Sequence, residues 1–347
     1  MDRVQLKSME NNKKIAIVTG INGQDGSYLA EFLLKKGYHV IGLRRRSSSN
    51  NNDRIKHLFN NENNKNLELH YYDLSDGSTL TSLIAKYKPD EFYNLGGQSD
   101  VSISFAVPEY TSDVIGNSVL KILGAIRTLS PNTRFYQASS SEMYGSSKDY
   151  GENGYTELSR MMPVSPYAVS KLYAHHMVKV YRDAYNIHAS SGILFNHESP
   201  RRGENFVTKK ITMGAAKIKL GLENKLILGN LDAYRDWGYA GDYVKAMWLM
   251  LQQDSGDDYV ISTGKTHSVR EFLKHVFEYA GLGDYNKYVE YDQKYTRPNE
   301  VPYLLGDSSK AKKKLGWKPE IGVIELAHMM YDFDFLSINT SKDVVYA

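Results

Sequence analysis

At 347 residues, with 41% hydrophobic and 24% charged side chains, the chain can bury the core of one large domain or two modest ones. Its formal net charge of +3 comes from scattered Lys and Arg nearly matched by Asp and Glu, which argues against the basic stripe of a nucleic-acid binder. Zero cysteines exclude disulfides, thiolate metal sites and cysteine nucleophiles and fit a cytoplasmic location, and no apolar run is long enough to span a membrane.

Residues 1–13 lack the apolar core of a signal peptide and are expected to form a frayed tail. Residues 14–19 (Lys-Ile-Ala-Ile-Val-Thr) read as a strand buried on both faces, the kind a parallel sheet uses. Gly20, Gly23 and Gly26 follow at once, and residues 27–36 read as a helix with Leu29, Phe32 and Leu33 turned inward. Strand, glycine turn and helix make a dinucleotide site, because glycines let the backbone approach a pyrophosphate resting on the helix N-terminus. The spacing, Gly-x-x-Gly-x-x-Gly, is a variant of the commoner Gly-x-Gly-x-x-Gly.

A second strand at 38–43 ends where a binder of the ribose 2′-hydroxyl would carry Asp or Glu. Here stand Arg44-Arg45-Arg46-Ser47-Ser48-Ser49, and guanidiniums with hydroxyls suit a 2′-phosphate, so NADP(H) is expected over NAD(H). Residues 50–66 contain eight asparagines and read as a mobile surface segment, with Arg54, Ile55 and Leu58 starting a short helix.

The alternation then continues: strand 67–72 ending in Asp73-Leu74, helix 78–87, strand 91–95, the small-residue turn Gly96-Gly97-Gln98-Ser99, helix 114–128, strand 134–138 and the polar cluster Ser139-Ser140-Ser141-Glu142. Such alternation predicts an α/β fold, a Rossmann-like doubly wound parallel sheet, with ligands at the carboxyl ends of its strands.

Ser165-Pro166 opens a long helical run, Ser as cap and Pro at the first helical position. A spacing of four places Tyr167 and Lys171 on one helix face. An ammonium beside a phenol lowers its pKa, so a tyrosinate becomes accessible near neutral pH and can take a proton from a sugar hydroxyl. The same spacing recurs at Tyr144 and Lys148, but Gly145, Ser146 and Ser147 between them make that copy a loop.

Past a strand at 187–195, residues 196–203 form a dense polar loop. Lys209, Lys210, Arg235 and Arg297 supply further cations among Gly, Pro and Trp, which suggests a diphosphate pocket. His175 and His176 are adjacent and cannot form a paired zinc motif, so no metal site is expected.

The sequence resembles the extended short-chain dehydrogenase/reductases and, within them, the GDP-mannose 4,6-dehydratase family. Resemblance runs from Lys14 to about Glu320 and is carried by residues 19–31, 136–145, 195–202, 228–230, 235–237 and 297–301. The Phe-Asn-His-Glu-Ser-Pro-Arg-Arg-Gly segment beginning at Phe195 is far more specific than any glycine pattern. The resemblance implies a redox-neutral cycle on a GDP-linked sugar. Tyr167, set by Lys171 and helped by Ser140, would take the C4 hydroxyl proton while hydride passes to the cofactor. Glu142 would then remove the C5 proton as water leaves C6, and the hydride would return to C6.

By the same resemblance Gly20, Gly23, Gly26, Arg45, Arg46, Ser47, Asp73, Leu74 and Arg202 would hold NADP, with Tyr167 and Lys171 touching its nicotinamide ribose. Asn196, Lys210, Arg235, Arg297 and Glu300 would hold the GDP-sugar; Glu300 could accept from guanine N–H groups or pair with Arg297. A homotetramer, or else a homodimer, is implied. The expected Rossmann domain covers 1–192 plus 236–264, including a helix at 242–251 and a strand at 258–262. A smaller C-terminal substrate-binding domain covers 193–235 plus 265–347, with the sugar nucleotide between the two. Residues 336–347 show no clear pattern.

Several positions depart from the family's usual pattern: Ser140 stands for Thr, Gly97-Gln98-Ser99-Asp100 for Ala-Gln-Ser-His, and Asn50-Asn51-Asn52-Asp53 follows Ser49. Gly97 could admit a longer sugar substituent, which keeps a GDP-manno-heptose 4,6-dehydratase open as an alternative. A nucleotide-sugar 4-epimerase or 4-dehydrogenase would need Tyr167 and Lys171 but not Glu142. An inactive cofactor-binding regulator commonly lacks the Tyr or the Lys, and both are present here.

Overall fold

The computed structural model describes residues 13–48, 51–59, 65–292 and 299–345. In chain order the elements of the first part are β1 (Ile15–Thr19), α1 (Gln24–Lys35), β2 (His39–Arg44), a one-turn helix Lys56–Phe59, β3 (Leu67–Tyr71), α2 (Gly77–Tyr87) and β4 (Glu91–Asn94). Then come α3 (Val101–Ala106), α4 (Pro108–Ser112), a π-helical turn Asp113–Asn117, α5 (Ser118–Leu129), β5 (Arg134–Ser140), α6 (Pro166–Tyr185) and β6 (Ala189–Leu194). The remainder supplies α7 (Val207–Lys219), α8 (Ala240–Leu251), β7 (Asp258–Ile261), α9 (Val269–Tyr279) and α10 (Val323–Val345), with several short strands and turns between them.

Seven strands form one sheet in the order β7-β6-β5-β4-β1-β2-β3. The pairs β1–β2, β1–β4, β2–β3 and β4–β5 are parallel, and the order steps away from β1 in both directions, as a doubly wound sheet requires. Near-continuous apolar strands explain the two-sided burial: Ala16, Ile17 and Val18 are wholly buried, as are Phe92 and Tyr93. On one face Ile17, Ile41, Phe92 and Phe135 pack with Leu80 and Ile84 of α2, Ile122 and Ile126 of α5, and Ala174 and Val178 of α6.

The chain separates into two compact units. The first comprises Met1–Met143, Ser165–Ile193 and Val244–Tyr259, and the second Tyr144–Val164, Leu194–Tyr243 and Val260–Ala347. Within the second, α7, α9 and α10 share a core of Ile211, Ala215, Phe272, Val276, Leu326 and Met330. A capping box starts α9: Ser268 Oγ accepts from Glu271 N, and Glu271 Oε2 accepts from Ser268 N.

Three expectations from sequence need correction. Residues 336–345 belong to α10, because Leu326, Met330 and Tyr331 keep one face of that helix buried and Phe335 and Ile338 continue it against the same cluster. The single helix expected at 114–128 arrives in pieces, preceded by α3 and α4 and entered through the π turn. The strand expected to stop at Ala138 continues through Ser140, so Ser139 and Ser140 are strand residues.

Candidate active site

The glycine turn sits at the carboxyl end of β1. Gly20 has a left-handed backbone (φ +67°), and a Cβ there would lie 2.9 Å from Gly96 Cα. A Cβ at Gly26 would lie 2.2 Å from the Gly20 carbonyl oxygen, so α1 can begin this close to β1 only with glycine at that position. The helix starts earlier than its apolar pattern suggests, at Gln24, inside the turn.

A buried polar row crosses the carboxyl ends of three neighbouring strands. Thr19 Oγ1 donates to Asn94 Oδ1 (2.8 Å), and Asn94 Nδ2 donates to Gln137 Oε1 (2.9 Å). Thr19 Oγ1 also accepts from Leu95 N and Gly96 N at 3.0 and 2.9 Å. The row ties the Gly20 turn to the Gly96 turn and to the end of β5, and sequence reading missed it. Its trace in the sequence is a polar residue at or near the end of each apolar strand run.

On α6, Ser165 Oγ caps by accepting from Ala168 N (3.1 Å), with Pro166 at the first helical position. Tyr167 is buried against Val101, Val114 and Ile115, with Leu74 and Phe105 alongside. Lys171 Nζ lies 5.8 Å from the centre of the Tyr167 ring and donates to the Ala138 carbonyl at 2.7 Å. Burial pushes the Lys171 ammonium down to about 8, opposed by the Asp25 carboxylate of α1. Asp25 is a second member of the site that the sequence reading did not single out.

Ser140 and Glu142 are both buried. They lie at the β5 terminus, where a single 3-10 turn, Ser141–Met143, brings Glu142 N within 3.2 Å of Ser140 Oγ, to which it donates. Ser140, Glu142, Tyr167 and Lys171 thus stand together in the first unit, on the same edge as the glycine turn. The Tyr144-x-x-x-Lys148 copy is irregular backbone.

Among the expected cofactor residues, Arg45, Arg46 and Ser47 are exposed just past β2, and Arg45 Nη1 donates to Tyr110 Oη at 2.8 Å. Asp73 accepts from Ser75 N and Oγ (3.0 and 2.7 Å), bonds that hold its carboxyl below the usual range. Leu74 joins the apolar group around Tyr167.

The second unit gathers most of the other expected residues. Arg202 Nε lies 3.0 Å from Glu198 Oε2, and its guanidinium stacks over Phe206 at 3.5 Å. Arg235 Nη2 donates to Glu300 Oε1 at 2.6 Å. Arg297 lies outside the described residues. Asn196 Oδ1 is buried without a hydrogen-bond partner among the described residues. Lys210 is half-buried on α7. Lys209, counted with the phosphate-binding cations on sequence grounds, is instead buried in an ion pair with Asp334 of α10 and donates to Pro200 O at 2.8 Å.

The family model for GDP-mannose 4,6 dehydratase matches residues 17–330. The chain belongs to this family. Curated members of the GDP-mannose 4,6 dehydratase family include the "GDP-mannose 4,6 dehydratase 2" of Arabidopsis thaliana, 53% identical over 342 residues, which cover 96% of this chain and 90% of that protein. The Homo sapiens "GDP-mannose 4,6 dehydratase" is 49% identical over 96% of this chain and 95% of its own. Among solved structures, a UDP-glucose 4-epimerase from Thermotoga maritima superposes with a TM-score of 0.79 at 24% identity, covering 93% of this chain and 99% of that one. A dTDP-glucose 4,6-dehydratase from Bacillus anthracis gives 0.79 at 19% identity, covering 92% and 96%. At those identities the structural likeness speaks for the fold alone. No helix among the described residues is long and apolar enough to cross a membrane.

Proposed function

We propose that this protein is a GDP-mannose 4,6-dehydratase, converting GDP-D-mannose to GDP-4-keto-6-deoxy-D-mannose with loss of one water. The observation that carries the reading is the joint presence of a tyrosine–lysine pair and a buried carboxylate, Glu142, at one sheet edge, in a chain about half identical to curated enzymes of that name. A 4-epimerase or 4-dehydrogenase has no use for the carboxylate.

The glycine turn fits a dinucleotide, since its close backbone approach leaves no room for a Cβ at Gly26, and Arg45, Arg46 and Ser47 stand exposed where a 2′-phosphate would be met. We therefore favour NADP(H), held by Gly20, Gly23, Gly26, Arg45, Arg46, Ser47, Asp73, Leu74 and Arg202, with Tyr167 and Lys171 at the nicotinamide ribose. When bound, it supplies a reversible hydride acceptor at the site. Tyr167 takes the proton from the C4 hydroxyl as C4 becomes a ketone, and the Lys171 charge stabilises its phenolate. Ser140 hydrogen-bonds the C4 oxygen. The ketone acidifies the C5 proton, which Glu142 removes as the C6 hydroxyl departs as water; C6 would then receive the hydride taken from C4, and the two protons taken up by Tyr167 and Glu142 balance those needed by the leaving hydroxyl and by C5. Asn196, Lys210, Arg235, Arg297 and Glu300 are assigned to the GDP-sugar; Asn196 Oδ1, which has no hydrogen-bond partner among the described residues, is the kind of buried atom that a ligand donor would satisfy.

We assign the enzyme to the cytoplasm, on its lack of cysteine. Self-association, as a tetramer or a dimer, is supported by the outward face of α6, where Val169, Tyr173 and Val180 are 54%, 41% and 50% exposed.

The test is mass spectrometry after separate incubation with GDP-mannose and GDP-manno-heptose, reading loss of about 18 mass units with the bound cofactor's redox state unchanged. Loss from GDP-mannose is expected. Loss from the heptose alone would replace the mannose reading, and loss from neither would overturn the dehydratase reading.

A further inference from the structure

Lys171 is not the last polar residue on its helix face. One turn further along α6, His175 is buried (5% exposed), and its Nδ1 lies 3.1 Å from Ser139 Oγ on β5. Its other nitrogen, Nε2, faces Asp258 Oδ2 of β7 at 3.9 Å. Asp258 is in turn held by both terminal nitrogens of Arg182, at 3.0 and 3.0 Å. All four residues belong to the first unit.

The placement matters because of what flanks it. Lys171 bonds the carbonyl of Ala138 and His175 bonds the side chain of Ser139, so α6 grips β5 at two consecutive residues, and the next residue is Ser140. Tyr167, Lys171 and His175 follow at a spacing of four, one above another on the helix. Sliding or twisting the end of β5 against α6 would displace the Ser140 hydroxyl and the Ala138 carbonyl from Tyr167 and Lys171 together.

We propose that His175 is a positioning residue of the dehydratase, locking the end of β5 onto α6 so that Lys171 and Ser140 keep their places around Tyr167. Asp258 draws the imidazole proton to Nε2, which leaves Nδ1 to accept from the Ser139 hydroxyl. Burial disfavours the charged ring, helped by His176, Arg182 and Lys179 and opposed by Asp258. Protonation would turn Nδ1 from acceptor to donor and reverse the bond to Ser139.

The proposal rests on the function above, so its test has one readout that does not need that function. In the whole protein without sugar, competitive acylation of Lys171 across pH reports the ammonium's surroundings. In parallel, kcat and KM are measured with GDP-mannose for the unmodified protein and for His175→Leu, His175→Asn and Ser139→Ala. An Asn side chain offers an oxygen near the place of Nδ1 and can accept from Ser139; Leu cannot. For His175→Leu the Lys171 midpoint, which burial holds low in the unmodified protein, is expected to rise by one unit or more, with kcat down ~10-fold and KM within twofold. His175→Asn restores most of both, and Ser139→Ala behaves like His175→Leu. An unmoved Lys171 midpoint in both His175→Leu and Ser139→Ala overturns the proposal whatever the activities. So does a His175→Asn protein as impaired as His175→Leu. If the unmodified protein does not dehydrate GDP-mannose, the functional reading falls, and the midpoint alone decides the role of His175.

Discussion

Lys171 holds its ammonium 5.8 Å from the centre of the Tyr167 ring while spending a 2.7 Å hydrogen bond on the Ala138 carbonyl. The ammonium therefore faces the phenol from a place fixed by the β5 backbone, which a solvated lysine would lack. Tyr167→Phe is expected to lower kcat by ~10²-fold or more with little change in substrate affinity, checked by steady-state kinetics.

Because burial lowers the Lys171 pKa to about 8, the positive charge is lost as pH rises through that value. The phenolate then loses its neighbour, and kcat is expected to decline above about pH 8. A pH profile that stays flat to pH 10 would contradict the role given to this ammonium.

The same shift has a stability consequence. In the unfolded chain a lysine keeps its proton up to about 10.5, so between pH 8 and 10.5 the unfolded state binds more protons than the folded one. The cost of burying Lys171 is in full force below pH 8 and disappears as pH rises through 10.5, at most about 3 kcal/mol. Denaturant unfolding of Lys171→Met beside the unmodified protein should show their stability difference moving by up to that amount, in favour of the unmodified protein, between pH 8 and 10.5.

The role proposed for Glu142 belongs to elimination and not to oxidation. Glu142→Gln keeps the shape of the site but offers no base, so exchange of the substrate C5 proton with deuterated solvent should fall ~10²-fold or more. Transient reduction of the bound cofactor by the sugar should persist. Unchanged exchange would remove Glu142 from its role.

Lys209 and Asp334 form a buried pair between α7 and α10, to which Thr212 Oγ1 adds a 2.6 Å bond. Lys209→Met leaves a buried carboxylate without its countercharge and is expected to cost about 3–5 kcal/mol in urea unfolding. Adding Asp334→Leu should recover much of that loss, since the uncompensated charge is then gone. A double variant as unstable as the single one would point to packing as the cause.

Several features of the protein were legible in the chain because they are decided by near neighbours. An apolar run meeting Gly20, Gly23 and Gly26 describes strand, turn and helix within a dozen residues, and the structure places Gly20 in the left-handed region that only glycine enters freely. Ser165-Pro166 starts α6, and a helical period of 3.6 then puts Lys171 beside Tyr167 without reference to any other element. Alternating strands and helices limited the topology to a doubly wound sheet.

What tertiary structure alone decided is which distant residues meet. Thr19 finds Asn94 and then Gln137, Ser139 finds His175, Arg235 finds Glu300 and Lys209 finds Asp334, over separations of 36 to 125 residues. Nothing local names these partners: Thr19, Asn94, Gln137, Ser139 and His175 read as ordinary polar residues, and Lys209, Arg235 and Glu300 as residues for a ligand. Their partners follow from strand order and helix packing, and burial then obliges each polar group to find one. Lys209 shows the difference most plainly: by composition it belonged with the phosphate-binding cations, and α10, whose last turns carry no clear sequence signal, places Asp334 against it instead.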